Sequence, residues 1–438
     1  MTGALLPLIM LETDRRVVVL AFARMADAVA NSFLIIVLPL YIASGELVVP
    51  ALEGATVAGY PLTIELLIGF ALSLFGFLNS SFQPLTGRLS DRTGRRKAFI
   101  LFGLAVLAVT SVAYALVDSY EALVVVRAIQ GLGGAFVIPT TIALVNDLAR
   151  SDAERGGNFG VFNTFRLVGF GFGPIVAGLV VRGGPYGLTE GVTLSGFDAA
   201  FGVAILGALV SFTLVLALIE EPDVTAADAG DDLSISVRSD DPDRLLDPVF
   251  VLGLGTFFMA VSIALYATLQ DPINARLDQG PLWFGVQFAA VVLANVALQV
   301  PIGRVADRIG RKPFLVAGLV VLTPSVLAQG LVTSPWTMLF ARVLHGVSVA
   351  MVFAPALAAA GDLAEEGQSG TTLSVLTMAF GFGTAVGPLA SGALFGYGFV
   401  VPFAFGAALA LAALALVVTQ VEETLEGARL PSFVPGGD

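Results

Sequence analysis

The chain has 438 residues with 56% hydrophobic and 13% charged side chains and a mean hydropathy of +0.90, whereas a globular domain is roughly a quarter charged. That composition excludes a water-soluble fold and makes the lipid bilayer the chain's first partner. With no cysteine and a single histidine, His345, disulfides and thiolate or histidine metal clusters are excluded too, so no metal, cofactor or nucleic-acid partner is expected.

The first sixteen residues have no basic stretch ahead of their apolar run and no small-residue cleavage pattern, so no signal peptide is expected and the first membrane helix acts as its own insertion signal. A spanning helix needs about 20 mostly apolar residues. On that criterion spans are expected near 17–43, 61–86, 97–117, 121–148, 156–182, 199–220, 247–270, 283–302, 313–332, 335–361, 370–396 and 398–420. Two uncharged runs are too long for one span and break at Thr333-Ser334-Pro335 and near Gly396-Tyr397-Gly398. The expected organisation is a first six-helix unit over 1–220, an acidic linker over 221–246, a second six-helix unit over 247–421 and a tail over 422–438.

The net charge of −12 comes largely from the segment Glu221 to Asp247, which holds nine acids against Arg238 and Arg244. Lys97 and Lys312 are the only lysines, against twenty arginines. An acidic, lysine-poor surface is what a protein in concentrated salt shows. Two sources fit it: a halophilic origin, or GC-rich coding combined with one acidic linker.

One cationic segment occurs twice. GRLSDRTGRRK, from Gly87 to Lys97, returns as GRVADRIGRKP, from Gly303 to Pro313, and Gln83 stands four residues before the first copy as Gln299 stands before the second. At an offset of about 215 residues Arg127, Gly131 and Asp147 are matched by Arg342, Gly346 and Asp362, while Gly169, Gly173, Pro174 and Gly178 are matched by Gly383, Gly387, Pro388 and Gly392. The two units are therefore repeats of one module. Short cytoplasmic loops carry the excess of lysine and arginine, which puts both cationic segments and both termini on the cytoplasmic side.

Twelve spans in two similar halves, with Gly-x-x-x-Asp-Arg-x-Gly-Arg-Arg/Lys after the second and again after the eighth, closely resemble the major facilitator superfamily of secondary transporters. The resemblance covers essentially the whole chain. It implies an all-α membrane fold of two pseudo-symmetric six-helix bundles that rock about a central site in the cell membrane. Arg127 with Gly131 looks like the family's motif B, whose arginine is associated with proton coupling, and Gly169 to Gly178 looks like motif C of its drug:proton antiporters.

The residues carry their own chemistry beside the resemblance. Asp147 and Asp362 end helices at C-termini, where the macrodipole disfavours a carboxylate and a cationic neighbour is needed. Arg88, Arg92, Arg95 and Arg96 beside Gly94 are available in the first half, and Arg304, Arg308 and Arg311 in the second. Arg95 with Asp147, and Arg311 with Asp362, are expected to latch the cytoplasmic gate in the outward-open state. Asp91 and Asp307 would hold facing helix ends through N-terminal amides or a loop arginine. The plainer reading leaves both loops with the orienting role alone. The glycine motifs let helices approach closely, with proline bending them, and act as hinge and packing surface.

Ionisable groups inside spans are costly and become functional candidates. Arg24, Asp27 and Asn31 form one polar stripe on the first span. Asp27 is either a proton carrier or one member of a fixed pair with Arg24. Arg127 is a coupling residue, with snorkelling to the interface left open, and Arg342, its repeat partner, does the same work or none. Arg166 is placed to meet a carboxylate or an anionic substrate. His345 is a titratable alternative to Asp27 or a hydrogen-bonded core residue.

A secondary active transporter is expected, working as a monomer and coupled to a proton, with sodium as the other candidate ion. Efflux of amphipathic or drug-like molecules leads, ion-coupled uptake of a sugar or organic anion is the alternative, and a non-transporting sensor fares worst. No Gly-x-x-x-x-Gly-Lys-Ser/Thr motif occurs for ATP, and no nucleophile–base pair or metal cluster speaks for an enzyme.

Overall fold

The computed structural model describes residues 14–49, 56–57, 60–149, 152–189, 192–221, 236–239, 244–364 and 369–425. Among these, twelve helices are long and apolar enough to cross a membrane. They are α1 Arg15–Ala43, α2 Ile64–Thr93, α3 Arg96–Tyr114, α4 Tyr120–Asp147, α5 Asp152–Gly183, α6 Gly196–Leu218, α7 Pro248–Thr268, α8 Pro281–Ile309, α9 Arg311–Leu331, α10 Pro335–Asp362, α11 Ser369–Phe395 and α12 Val401–Gln420. Side-chain caps set several starts. The Thr63 hydroxyl accepts from the Leu66 amide, Ser195 and Asp198 form a capping box, and the Asp247 carboxylate accepts from the amides of Val249 and Phe250. Proline in the first turn of α7, α8, α10 and α12 costs no hydrogen bond there.

Most boundaries fall within a few residues of expectation, and the departures have physical causes. The cationic segments are not loops: α2 continues to Thr93 and α8 to Ile309. Gly87, Arg88, Asp91 and Arg92, like Gly303, Arg304, Asp307 and Arg308, are therefore helical. Backbone hydrogen bonding continues past the point where hydropathy falls and stops at Gly94, which is left-handed with φ 64°, and at Gly310, with φ 131°. A short helix, Gln270–Leu277, follows α7, and two β-hairpins occupy the α1–α2 and α5–α6 connections. Of the expected acidic linker, residues 222–235 and 240–243 lie outside the described residues, as do the first thirteen residues and the tail from 426.

The hairpins mark one end of the molecule and the cationic segments the other. Within the first six helices α1 packs on α5, and within the last six α7 packs on α11; between the two sets α2 packs on α11 and α5 on α8. The cross-contacts follow the repeat. A Cβ on Gly69 of α2 would overlap the carbonyl of Pro388 in α11, and a Cβ on Gly285 of α8 would overlap the carbonyl of Pro174 in α5. One turn nearer the hairpins, Gly392 lies on the Glu65 carbonyl of α2, and Gly178 on α8, where a Cβ would come within 2.7 Å of the Pro281 carbonyl oxygen. The Leu389 amide, just past Pro388, donates to Ser73 Oγ across the seam at 3.0 Å.

The hydrophobic core divides accordingly. Toward the hairpins one cluster joins both halves, from Phe33, Leu34 and Leu72 to Tyr266, Phe284 and Phe403. Toward the cationic end the core splits in two. Val17, Leu104, Leu144 and Ile219 centre one cluster within the first half, and Leu315, Val352, Ala359 and Val417 centre the other within the second. The structure is closed at the hairpin end.

Backbone atoms cannot yield to a new side chain at these glycines. Gly285→Val should disfavour this closure by about 1–3 kcal/mol, the usual cost of overpacking. In a spin-labelled Glu46→Cys/Ala275→Cys pair, which needs no native cysteine removed, the long-distance population across the hairpin end should rise about tenfold.

Candidate functional site

At the cationic end each half carries an arginine held between two carboxylates. Arg96, the first residue of α3 and only 6% exposed, places Nε on Asp147 Oδ2 at 3.0 Å, and its Nη1 donates to Ser90 Oγ at 3.0 Å and to Asp91. Arg311 repeats this, with Nε on Asp362 Oδ2 at 3.3 Å and Nη1 paired with Asp307. Asp91 and Asp307 thus take the loop-arginine option rather than helix amides.

Arg311 meets Asp362, the contact named from the sequence, in a structure closed at the hairpin end rather than open there; in the first half the arginine on Asp147 is Arg96, not Arg95. The α2–α3 link is one residue longer than the α8–α9 link, so Arg95 is the exposed cap residue outside the helix, with φ −95° and ψ 65°, and Arg96 holds the place that Arg311 holds. Arg88, Arg92, Arg304 and Arg308 are exposed on the last turns of α2 and α8. Each clip ties helices of a single half, and both are formed while the hairpin end is closed.

Two glutamates complete the clips and escaped the sequence reading. Glu423, just past α12, accepts the amides of Arg311 and Lys312 at 2.8 and 3.0 Å, and Glu221, past α6, accepts the Lys97 amide at 2.9 Å. A carboxylate on the unsatisfied amides at a helix N-terminus is stabilised by hydrogen bonding and by the macrodipole. The lysines answer in kind: Lys97 Nζ donates to the Leu216 carbonyl and Lys312 Nζ to the Val418 carbonyl, each at 3.0 Å. The available signal was the recurrence of Glu-Glu after the sixth and twelfth spans, at Glu220-Glu221 and Glu422-Glu423.

Deeper in the first half, Arg24 donates to Asp27 on the same helix, and Asp27 is 3% exposed. Asn31 continues the polar face one turn on. A cavity of about 10 Å³, room for about one water, adjoins the pair and is walled by α3, α4 and α6, with Thr141 and Ser211 as its other polar residues. Across the α1–α5 seam, where Gly169 lies against the Met25 backbone and Gly173 against Ser32, stands Arg166. Its Nε and Nη2 donate to Asn163 Oδ1 at 3.1 and 2.8 Å.

Arg127, Arg342 and His345 are held elsewhere, inside their own halves and nearer the hairpin end. Arg127 is 3% exposed and does not snorkel outward: Nε donates to the Ala71 carbonyl at 3.3 Å, Nη1 to Gln130 Oε1 at 2.6 Å, and the guanidinium lies over Phe75. Tyr114 donates to the same Gln130 oxygen at 2.8 Å. Arg342 repeats the arrangement, with Nε on the Gln287 carbonyl at 3.1 Å, Nη1 on Gln329 Oε1 at 3.3 Å and its guanidinium over Tyr266 at 4.0 Å. Gln329 Nε2 reaches His345 Nδ1 at 3.0 Å, so Nδ1 accepts and the ring proton sits on Nε2. These arginines brace helix crossings and do not join Asp27.

The glycine–proline motifs serve two surfaces each. Gly169 and Gly173 meet α1, and Gly383 and Gly387 meet α7, inside their halves, whereas Pro174 with Gly178 and Pro388 with Gly392 meet α8 and α2 across the halves.

The family model for the Major Facilitator Superfamily matches residues 20–270 and again 249–433. The chain belongs to this superfamily. Among its relatives, Multidrug resistance protein 2 of Bacillus subtilis (strain 168) is 28% identical over 178 residues, 40% of this chain and 44% of that protein. The Chromaffin granule amine transporter of Homo sapiens is 23% identical over 318 residues, 71% and 57%. The chain thus spans about half the length of the curated relatives it matches. Among solved structures, that of the human organic anion transporter TETRAN is 23% identical, covering 92% of this chain and 99% of that one with a TM-score of 0.65, which shows the shared fold.

The assignment of Arg96 as clip residue has a direct check. Arg96→Gln should lower the stability of the purified protein by about 1–3 kcal/mol, since its bonds are charge-assisted and largely buried. Arg95→Gln should change it by less than about 0.5 kcal/mol. Thermal unfolding of both variants in the same lipid discs makes the comparison.

Proposed function

We propose that the protein is a secondary active transporter that works by alternating access, with the cationic end in the cytoplasm of a cell membrane, and that it moves amphipathic small molecules in a cycle coupled to protons carried by Asp27. The observation behind this is the repeat-related seam, in which four helices meet through glycine and proline backbone at one end while the core divides by halves at the other. Rocking along α2–α11 and α5–α8 exchanges the closed end. Gly157 and Gly160 at the cationic end of α5 and Gly303 of α8 have open space where a Cβ would stand. These glycines are the contacts held in reserve for closing that end, with the two arginine clips keeping the helix termini rigid as they approach.

Export is favoured by the multidrug-resistance name of a relative in the same superfamily. Coupled movement of an organic anion is the second reading, and the arginine excess favours it: Arg24, Arg127, Arg166 and Arg342 stand in the spans against Asp27, the single buried carboxylate among the described residues. The acidic, lysine-poor composition supports a salt-rich setting.

Proteoliposomes at molar salt, loaded with a pH dye and challenged with lipophilic cations, anions and sugars, test the proposal. Wild type should show compound-dependent proton movement, and Asp27→Asn should abolish it. The sign of that movement distinguishes exchange from co-transport, and flux driven by a sodium gradient alone would replace the proton as the ion. His345→Gln, which installs the residue of the first half, should leave proton movement within about twofold of wild type, because a core hydrogen bond is exchanged for another of similar worth.

Gly160→Leu should leave the hairpin end closed and prevent closure at the cationic end. Compound-driven flux should fall at least about tenfold, as a bulky side chain adds about 1–3 kcal/mol to the closed form. A variant with normal flux would remove α5 from the moving seam.

A further inference from the structure

Arg166 has more hydrogen-bonding capacity than its surroundings use. A guanidinium carries five N–H donors, and the bonds from Arg166 to Asn163 account for two of them. Among the described residues no carboxylate pairs with it, and the charged group acting on it is a second cation, Arg24. The pair Arg24–Asp27 is already neutral. The net charge of the three groups is therefore +1, placed inside α1 and α5, nine or more residues from the start of either helix, where an uncompensated charge is expensive.

The position of Arg166 decides what can answer that charge. It lies three residues before Gly169, which touches α1, and four before Phe170, whose ring faces Phe288 of α8 across the halves at 6.1 Å. It is half-buried, at the inner margin of the closed seam, where the shared core gives way to separate ones. A second cross-half pair, Phe77 with Phe382 at 6.5 Å, lies at the corresponding margin of the α2–α11 seam. A molecule entering between the halves from the cationic end meets an under-used guanidinium beside aromatic rings.

We propose that this place is the substrate site and that it takes an amphipathic monoanion, its charged head on Arg166 and its apolar body against Phe170 and Phe288. The inference rests on the transporter reading and names its substrate class. One negative charge is specified, because Asp27 already balances Arg24. The charged group on Asp27 is Arg24 of its own helix, which in turn acts on Arg166 across the seam; α3, α4 and α6 face Asp27 with Ile100, Leu104, Val137, Thr141, Ser211 and Val215, none of them titratable. A proton on Asp27 therefore takes the local charge from +1 to +2, and protonation and anion binding favour each other by linkage. Proton and anion then travel together on one form of the carrier.

Calorimetry on the full chain in lipid discs tests this with two probes of equal body and opposite charge, naphthalene-2-sulfonate and trimethyl(2-naphthyl)ammonium. The sulfonate should bind and the ammonium should not. Arg166→Gln should weaken the sulfonate about ten- to hundredfold, the worth of a charge-assisted bond, and Arg166→Lys should retain most of the affinity. Asp27→Asn should tighten it, a direction that general damage to the fold would not produce. Equal or tighter binding of the ammonium, or a sulfonate affinity untouched by Arg166→Gln, would overturn the proposal. The measurement uses no gradient, so sulfonate binding of the expected pattern in a protein that moves no protons would uphold the site and sink the proton-coupling reading.

Discussion

Backbone contact between glycine and proline is the constraint from which the rest of this structure follows. A proline inside a helix has no amide hydrogen and disturbs the hydrogen-bond ladder around it. Where the opposing residue is glycine, the backbones of two helices can meet with no side chain between them. Gly69 with Pro388 and Gly285 with Pro174 do this at two places related by the repeat. Each contact is small, and the large side chains of the shared cluster, Phe33, Tyr266, Phe284 and Phe403 among them, pack at the same end. The two halves are thereby joined at one end and remain separate bodies.

The polar residues divide by the same logic. Arg127 and Arg342 make their hydrogen bonds within their own halves, so rocking leaves those bonds unchanged. The clips of Arg96 and Arg311, with Glu221 and Glu423 on the following amides, likewise stay within single halves. They hold together the helix ends on which the cationic faces are carried. Arg166 differs because it lies near the cross-half contact of Phe170 with Phe288, while Arg24 and Asp27 stand behind it at a small cavity inside the first half. Rigidity and charge sensitivity are kept apart in the structure.

Much of this was legible in the sequence. The number of helices and the pairing of the halves rest on hydropathy and on spacings that a repeat preserves, and both survive in the fold. What escaped did so for definite reasons. The assignment of Arg95 came from aligning the cationic segments on Gly94 and Gly310, whereas the bond depends on where the next helix begins, and the two links differ by one residue. The helical continuation of α2 and α8 was hidden because hydropathy reports the membrane and not the hydrogen bonding. Gly69 and Gly285 passed unnoticed since a glycine in an apolar run looks the same whichever neighbour it meets. Glu221 and Glu423 lay in segments that read as solvent-exposed, and their role appears only when the chain returns beside a helix start that is distant in sequence.

The central claim is that one rigid-body motion exchanges the closed end. Its most direct test is a pair of distance measurements in one preparation, with spin labels across the hairpin end in one sample and across the cationic end in another, recorded over the same series of pH values in lipid discs. The account predicts two populations at each end, with the fraction that is short across the hairpins equal to the fraction that is long across the cationic end at every pH. Fractions that vary independently, or a cationic end that opens and closes while the hairpin end stays fixed, would contradict it.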